Sequence, residues 1–375
     1  MKWSVSLAVM VVLVIVLSAC ETASLESKPA PGSQSDLPEK RDIPVSFFTG
    51  SQLVPVSTAS PITEITGWFD DETIMYVIEH DEMSMLLQHH LYTGKTTGFF
   101  ETDGWIVNVK ANHDYSLFAI KVIDKSDDAS LIIVDKNGEE QMKINRFGDD
   151  YSIYWSPYEL DQFMMIAYLP DWEFDAFFVD VGEKESTQVE LEQSYVQWHS
   201  NKEVAYLKWE QFEPTFEAPL YKIDIETGAE EKWLDRIVAY MNLTADLSLT
   251  VTVESKYELN SQYTFYEKDE PIRTMDMPIL NTYSEQWWIP FYTYDPDHHF
   301  FYYLRPKYSG DFFSYDDGYE FIAYNVLANS EEILTTLESH EPIMISPGGK
   351  FILVGNRFEH VFDLKERTLV DICNS

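Results

Sequence analysis

One pattern recurs seven times after the first sixty residues, and it restricts the fold more than any other feature. Each unit holds a short strand ending in an aromatic or polar turn, a strand rich in β-branched and aromatic residues, and a variable loop. A third strand then closes on Asp, Asn or Gly, and a brief fourth follows. Clear copies include "GWFDDETIMYVIEH", "SIYWSPYELDQFMMIAYL" and "YVQWHSNKEVAYLKW". The third-strand turns fall near Gly94, Asp135, Asp180, Asp224, Glu267, Asn325 and Asp363. That spacing is about 40 to 45 residues until a longer sixth unit, which is the period of a four-stranded propeller blade. Segments such as "FMMIAYL" and "FFYYLR" are short and lack a long 3.6-residue apolar face, so strands are expected over helices. The prediction is an all-β chain, a β-propeller of four-stranded blades with seven units counted; six or eight blades remain open. Asp and Gly at the repeat turns are read as turn formers, not ligands. The segment "IPVSFFTGSQLVPVS" before the first unit has strand character and is expected to pair with the last blade as a clasp.

The N-terminus carries a separate message. Met1 and Lys2 precede an apolar run from Val5 to Leu17, followed by Leu17-Ser18-Ala19-Cys20. A basic start, a short apolar core and small residues before a cleavage point make an export signal. The run falls short of the about 20 apolar residues of a membrane-spanning helix. LSAC resembles the bacterial lipobox, which implies that Cys20 is acylated and becomes the first residue of the mature chain. Two acyl chains hold a protein stably on a bilayer where one does not. Residues 21–42, rich in Ser, Pro, Glu and Lys, cannot bury enough apolar surface to fold and read as a leash. The domain plan is therefore a signal peptide over 1–19, a lipidated Cys and linker over 20–42, and one propeller over 43–375. The expected location is the outer face of the cell membrane, with a monomer joined to it through acyl groups on Cys20.

Lipobox, leash, length and repeats such as "ISPGGKFILVG" at Ile345–Gly355 together resemble the YqgU-like lipoproteins of Gram-positive bacteria. The resemblance implies a propeller on a lipid anchor without an assigned activity. That family is described as six-bladed, one fewer than the units counted here.

Composition bounds the function. The chain has 64 Asp and Glu against 26 Lys and Arg, a formal net charge of −38. Such a charge repels nucleic acid and anionic membrane surfaces, so neither is expected as a partner. It suits solubility or a cationic partner. With Cys20 lipidated, Cys373 has no cysteine partner and no disulfide framework is expected; Cys373 reads as a small buried side chain in a final strand. No HExxH, CxxC, GxSxG or phosphate loop occurs. The pairs His89-His90 and His298-His299 cannot easily share a metal, because neighbours on a strand point to opposite faces. No cofactor is expected, although "DPDHH" and "YDDG" offer carboxylates that calcium could use.

Candidate binding residues lie on the loops between second and third strands, read as "HDEMSMLLQHH", "LPDWEFD", "WEQFEPTFEAP", "SKYELNSQ" and "RPKYSGDFFSYDDGYE". Long aromatic and acidic loops on a rigid scaffold suit a cationic or sugar ligand. The sixth-unit loop ranks first, with Phe312, Phe313, Tyr315, Asp316 and Asp317; Trp172, Trp209 and Phe212 follow. The functional expectation is a binding or scaffold module at the bacterial cell envelope, holding an envelope protein or a wall polysaccharide. The alternative is a carboxylate-based glycoside hydrolase or lyase on an envelope polysaccharide, and a stress sensor is a third reading. An enzyme should gather carboxylates at the central channel mouth; a binding module should show an aromatic patch off the axis.

Overall fold

The apolar second strands of the repeats are each buried on both faces, which is what continuous hydrophobic runs require. Thr73–His80 is buried over its first six residues, and Phe351–Val354 throughout. The computed structural model describes residues 52–373, except 81–82, 146–147, 149, 171–172, 211–214, 256 and 282–286. The signal segment, Cys20, the leash, Trp172 and Phe212 lie outside the described residues.

Seven four-stranded antiparallel sheets form a ring, as the repeat count predicts. Blade 1 comprises Ile62–Asp70, Thr73–His80, Met83–His90 and Thr96–Thr102. Blades 2 to 7 begin with Gly104–Ala111, Asp150–Trp155, Gln197–Trp198, Ala239–Asn242, Tyr292–Asp295 and Ile343–Ile345 in turn. Every blade draws its four strands from its own stretch of chain, and among the described residues no strand is exchanged between the first and last. Outer strands such as Glu230–Ile237 and Ser330–Leu337 are largely exposed and carry acidic side chains. Part of the acidity thus sits on a solvated rim.

Third strands end at the residues that mark the repeat: Asp135, Asp180, Asp224, Glu267, Asn325 and Asp363. Except at Glu267, their short side chains close the following turn by accepting backbone N–H groups. Asp135 accepts from Asn137 and Glu139, Asp224 from Glu226 and Thr227, and Asp363 from Lys365 and Glu366.

The stretch "HDEMSMLLQHH" is not a loop. Met83–His90 is the third strand of blade 1, paired with Thr73–His80 along its whole length. Its polar residues conceal the pattern: Ser84 and His89 are buried, and His89 bonds the Val54 carbonyl at 2.8 Å and Thr96 Oγ1 at 3.1 Å.

Inner-strand aromatics tie blade to blade by a repeated device. Trp155 Nε1 donates to the Lys110 carbonyl at 3.2 Å, and Trp198 Nε1 to the Tyr154 carbonyl at 2.8 Å. The Tyr240 hydroxyl donates to the Trp198 carbonyl at 3.3 Å. Trp68 Nε1 donates to the Met344 carbonyl at 3.0 Å, so the same bond closes the ring between blades 1 and 7. Each aromatic reaches back to the inner strand of the preceding blade. Around the closure, Ile65, Trp68 and Tyr76 of blade 1 pack with Phe351, Leu353 and Val361 of blade 7, and with Leu53 and Val56. The Val56 N–H donates to the Ile372 carbonyl at 2.8 Å, beside a parallel bridge to Cys373. Cys373 is half-buried just past the last strand, and burial pushes its thiol pKa up.

The core also holds a polar orphan. Tyr263 is buried, and its hydroxyl has no hydrogen-bond partner among the described residues. Tyr263→Phe removes an unpaired polar group at nearly constant volume and is expected to stabilise the fold by about 1 kcal/mol. A thermal melt checks this, and a fall in stability of that size would reveal an unrecognised partner for the hydroxyl.

Candidate functional site

The blade 6 loop joins Phe300–Pro306 to Tyr319–Asn325 and is pinned to its neighbours at several points. Gly310–Asp311 pairs in parallel with Leu280–Asn281 of the connector from blade 5, and the Gly310 N–H donates to the Ile279 carbonyl at 3.1 Å. Ser309 Oγ donates to the Leu259 carbonyl on the blade 5 loop. Asp311 accepts from the Ser314 N–H at 3.1 Å and caps the 3-10 turn Phe312–Ser314. The Tyr315 hydroxyl donates to the Gly318 carbonyl at 2.6 Å and accepts from the Lys307 N–H at 2.9 Å. The Tyr308 hydroxyl donates to the Asp317 carboxylate, and that bond pushes its pKa up to about 12. Lys307 Nζ donates to the Asp317 carbonyl. The loop is therefore a built platform.

Four of the five residues ranked first are explained by this geometry. Phe312 and Tyr315 pack inward, Phe313 projects outward at 72% exposure, and Asp317 orients Tyr308. Asp316 is exposed at the rim. Trp209 is half-buried on the blade 4 loop, two blades away, and takes no part in this cluster.

Sequence reading missed the centre of the cluster. His340, from the connector between blades 6 and 7, is enclosed by aromatic rings. Phe291 lies 4.5 Å from it between centroids, Trp288 and Tyr319 5.1 Å, and Phe312 6.4 Å. His340 Nε2 accepts from the Phe291 N–H at 3.0 Å. Burial holds its pKa down to about 4, so the imidazole is neutral at ordinary pH. Phe216 of the blade 4 loop lies against Trp287, with ring centroids 5.3 Å apart and planes tilted by 37°. The aromatic run "WWIPF" was the available signal, because its connector shares a face with the ranked loops.

The outcome is a group of exposed aromatic and aliphatic side chains on the loops of blades 5 and 6. Tyr257, Leu259, Tyr308 and Phe313 are exposed by 80, 64, 51 and 72%, and Phe291 adjoins them through His340. Asp311, Asp316, Asp317 and Glu258 neighbour these residues along the chain. Monomeric proteins seldom leave such a patch open without a use for it.

Of the carboxylates offered for calcium, Asp295 and Asp317 have other partners. Asp295 is buried, accepts from the Asp297 and His298 N–H groups, and lies 2.8 Å from His298 Nδ1. Among the described residues no group of three or more His, Cys, Asp or Glu is arranged to hold a metal ion.

On the axis, the inner strands line two overlapping cavities of about 540 and 470 Å³. Their walls draw on all seven blades and include Lys110, His113, Gln197, Asn242 and Tyr294, with no Asp or Glu.

Comparison with known proteins places this architecture. The model of the YqgU-like 6-bladed beta propeller domain matches residues 90–355. The chain belongs to this family. The YqgU-like match takes in blades 2 to 6 whole, the fourth strand of blade 1 and the first two strands of blade 7. It therefore cuts through two blades, whereas this chain forms seven complete ones. The uncharacterized lipoprotein YqgU of Bacillus subtilis (strain 168) is 27% identical over 368 residues, 96% of this chain and 95% of the relative. An uncharacterized protein of Listeria monocytogenes EGD-e superposes with a TM-score of 0.78 at 16% identity, covering 86% of this chain and 97% of that one. The oligogalacturonate lyase of Vibrio parahaemolyticus superposes with a TM-score of 0.56 at 12% identity, covering 80% and 91%. Likeness at these identities shows a shared fold. The YqgU-like chain is thus a propeller whose relative is a lipoprotein.

Proposed function

We propose that this chain is a lipid-anchored binding module of the bacterial cell envelope, held by acyl groups on Cys20, whose blade 5–6 face captures an envelope protein. The observation that carries the reading is the exposed aromatic surface built around His340. Aromatic side chains are favoured at the centres of protein interfaces, where they bury large areas at low entropic cost. Leu259, Phe291 and Phe313 add apolar area with few hydrogen-bonding groups, which suits a protein better than a hydroxyl-covered glycan. The neighbouring carboxylates suit a partner with a basic rim. The hydrolase or lyase alternative needs two carboxylates within several ångströms of one another. The axial cavities instead offer a lining of lysine, histidine, amides and aromatics. The leash lets the domain reach partners at some distance from the bilayer.

Photo-crosslinking in living cells tests the reading, with the crosslinker at Phe313 or at Tyr308 and a control at exposed Leu369 of blade 7. A discrete protein adduct from the two patch positions, absent from the control, is expected. Labelled wall glycan without protein would move the assignment to carbohydrate recognition. No adduct at either patch position would overturn this face as the binding surface.

A further inference from the structure

The axial cavities carry a second inference, independent of the blade 5–6 patch. Inner strands run from the face of the blade connectors toward the turns between first and second strands. The larger cavity is lined by those turns, at Pro157, Pro296 and Pro347, and so lies toward the end of the channel away from the patch. Its most unusual occupant is Lys110. A bulge between Ile106 and Asn108 resets the alternation of the blade 2 inner strand, burying Val109 and turning Lys110 to the lumen. Lys110 borders both axial cavities and a third between blades 2 and 3.

Three properties of this site belong together. First, the lining of the axial cavities excludes carboxylates in a chain that holds 64 of them. Second, Lys110 Nζ donates to the Ile153 carbonyl at 2.7 Å, and among the described residues it makes no ion pair. An ammonium has three N–H donors, so two remain for a ligand. The group is open to the lumen yet set deep among protein atoms, and that loss of hydration lowers its pKa. A charge set among protein atoms with reduced hydration and no counter-charge is costly, and an anion entering the channel would relieve that cost. Third, the neighbouring groups suit a small polar molecule. Gln197 and Asn242 present amides, and Tyr154, Trp155 and Tyr294 form aromatic walls. The volume lies in the range of small-molecule sites.

We propose that the axial channel binds a small organic monocarboxylate bearing hydroxyl groups, with its carboxylate on Lys110 and its hydroxyls on the amides of Gln197 and Asn242. A single charge is favoured because one cation faces the lumen. Burial lowers the pKa of the adjacent His113 and keeps it neutral near pH 7, and a dianion would remain half-compensated inside a strongly negative molecule. The ring walls account for a compact ligand over an extended polymer.

Calorimetric titration of the full-length chain tests this, using gluconate, its neutral counterpart glucose, and lactate as a smaller hydroxy acid. Gluconate or lactate should bind saturably at one site, and gluconate at least about tenfold more tightly than glucose. Lys110→Met should weaken the acid by at least about tenfold, whereas Lys110→Arg should retain most of the affinity. Phe313→Ala, on the other face, should leave it unchanged. A thermal melt of each variant separates lost binding from lost folding. Equal affinity for gluconate and glucose, an unaltered affinity in a folded Lys110→Met variant, or no saturable heat from either acid up to about 10 mM would each overturn the proposal.

Discussion

Trp68→Ala is expected to destabilise the ring by about 3–5 kcal/mol, the range for deleting a large buried aromatic. Trp68 is 2% exposed, stacks on Phe351 with centroids 6.3 Å apart, and donates its indole N–H to Met344. Its loss leaves a cavity and an unpaired carbonyl at the junction where the first and last blades meet. Among the described residues no blade strand crosses that junction, and side-chain packing and the Val56 bridge hold it closed. Trp105, on the inner strand of blade 2 and 41% exposed, supplies the control; its alanine variant should cost under about 1 kcal/mol. Guanidinium unfolding of both variants measures the difference, and equal midpoints would show that closure does not depend on Trp68.

Acid should destabilise the protein through His340. The unfolded chain takes up this proton near pH 6.5, whereas desolvation delays it to about pH 4 in the folded state. Between those values the unfolded state binds more protons, so stability falls as the pH drops through the window. The contribution is complete above about pH 6.5, is lost by about pH 4, and amounts to about 3 kcal/mol at most. His340→Gln retains an acceptor for the Phe291 N–H without the ionisation. The many carboxylates titrate in both proteins, so the difference between their stabilities at pH 7 and pH 4.5 isolates the histidine. Parallel curves would mean that His340 is hydrated in solution. Because Trp288, Phe291, Phe312 and Tyr319 surround this ring, protonation would also loosen the patch proposed to bind a partner.

The candidate site was partly legible in the sequence. Length and composition singled out the blade 6 loop, and the structure makes that loop a fixed aromatic platform. The first-unit loop failed because Ser84, Gln88, His89 and His90 mask a strand whose other residues are apolar. Trp288, Phe291 and His340 were passed over because they occupy connectors between units and join the site only through neighbours distant in sequence.

What the sequence determined by itself is the repeat and the hairpins within it. Each blade pairs strands that follow one another along the chain, so turn residues such as Asp135, Asp224 and Asp363 and the apolar second strands record every unit locally. Ring closure, the indole bonds from blade to blade, the ring cage of His340 and the carboxylate-free channel around Lys110 were decided by tertiary structure. These depend on how far each blade is rotated from the last, and that rotation is set by side chains packing between units. A local pattern records pairing within a unit, but the groups that meet across the ring leave no periodic trace in the chain.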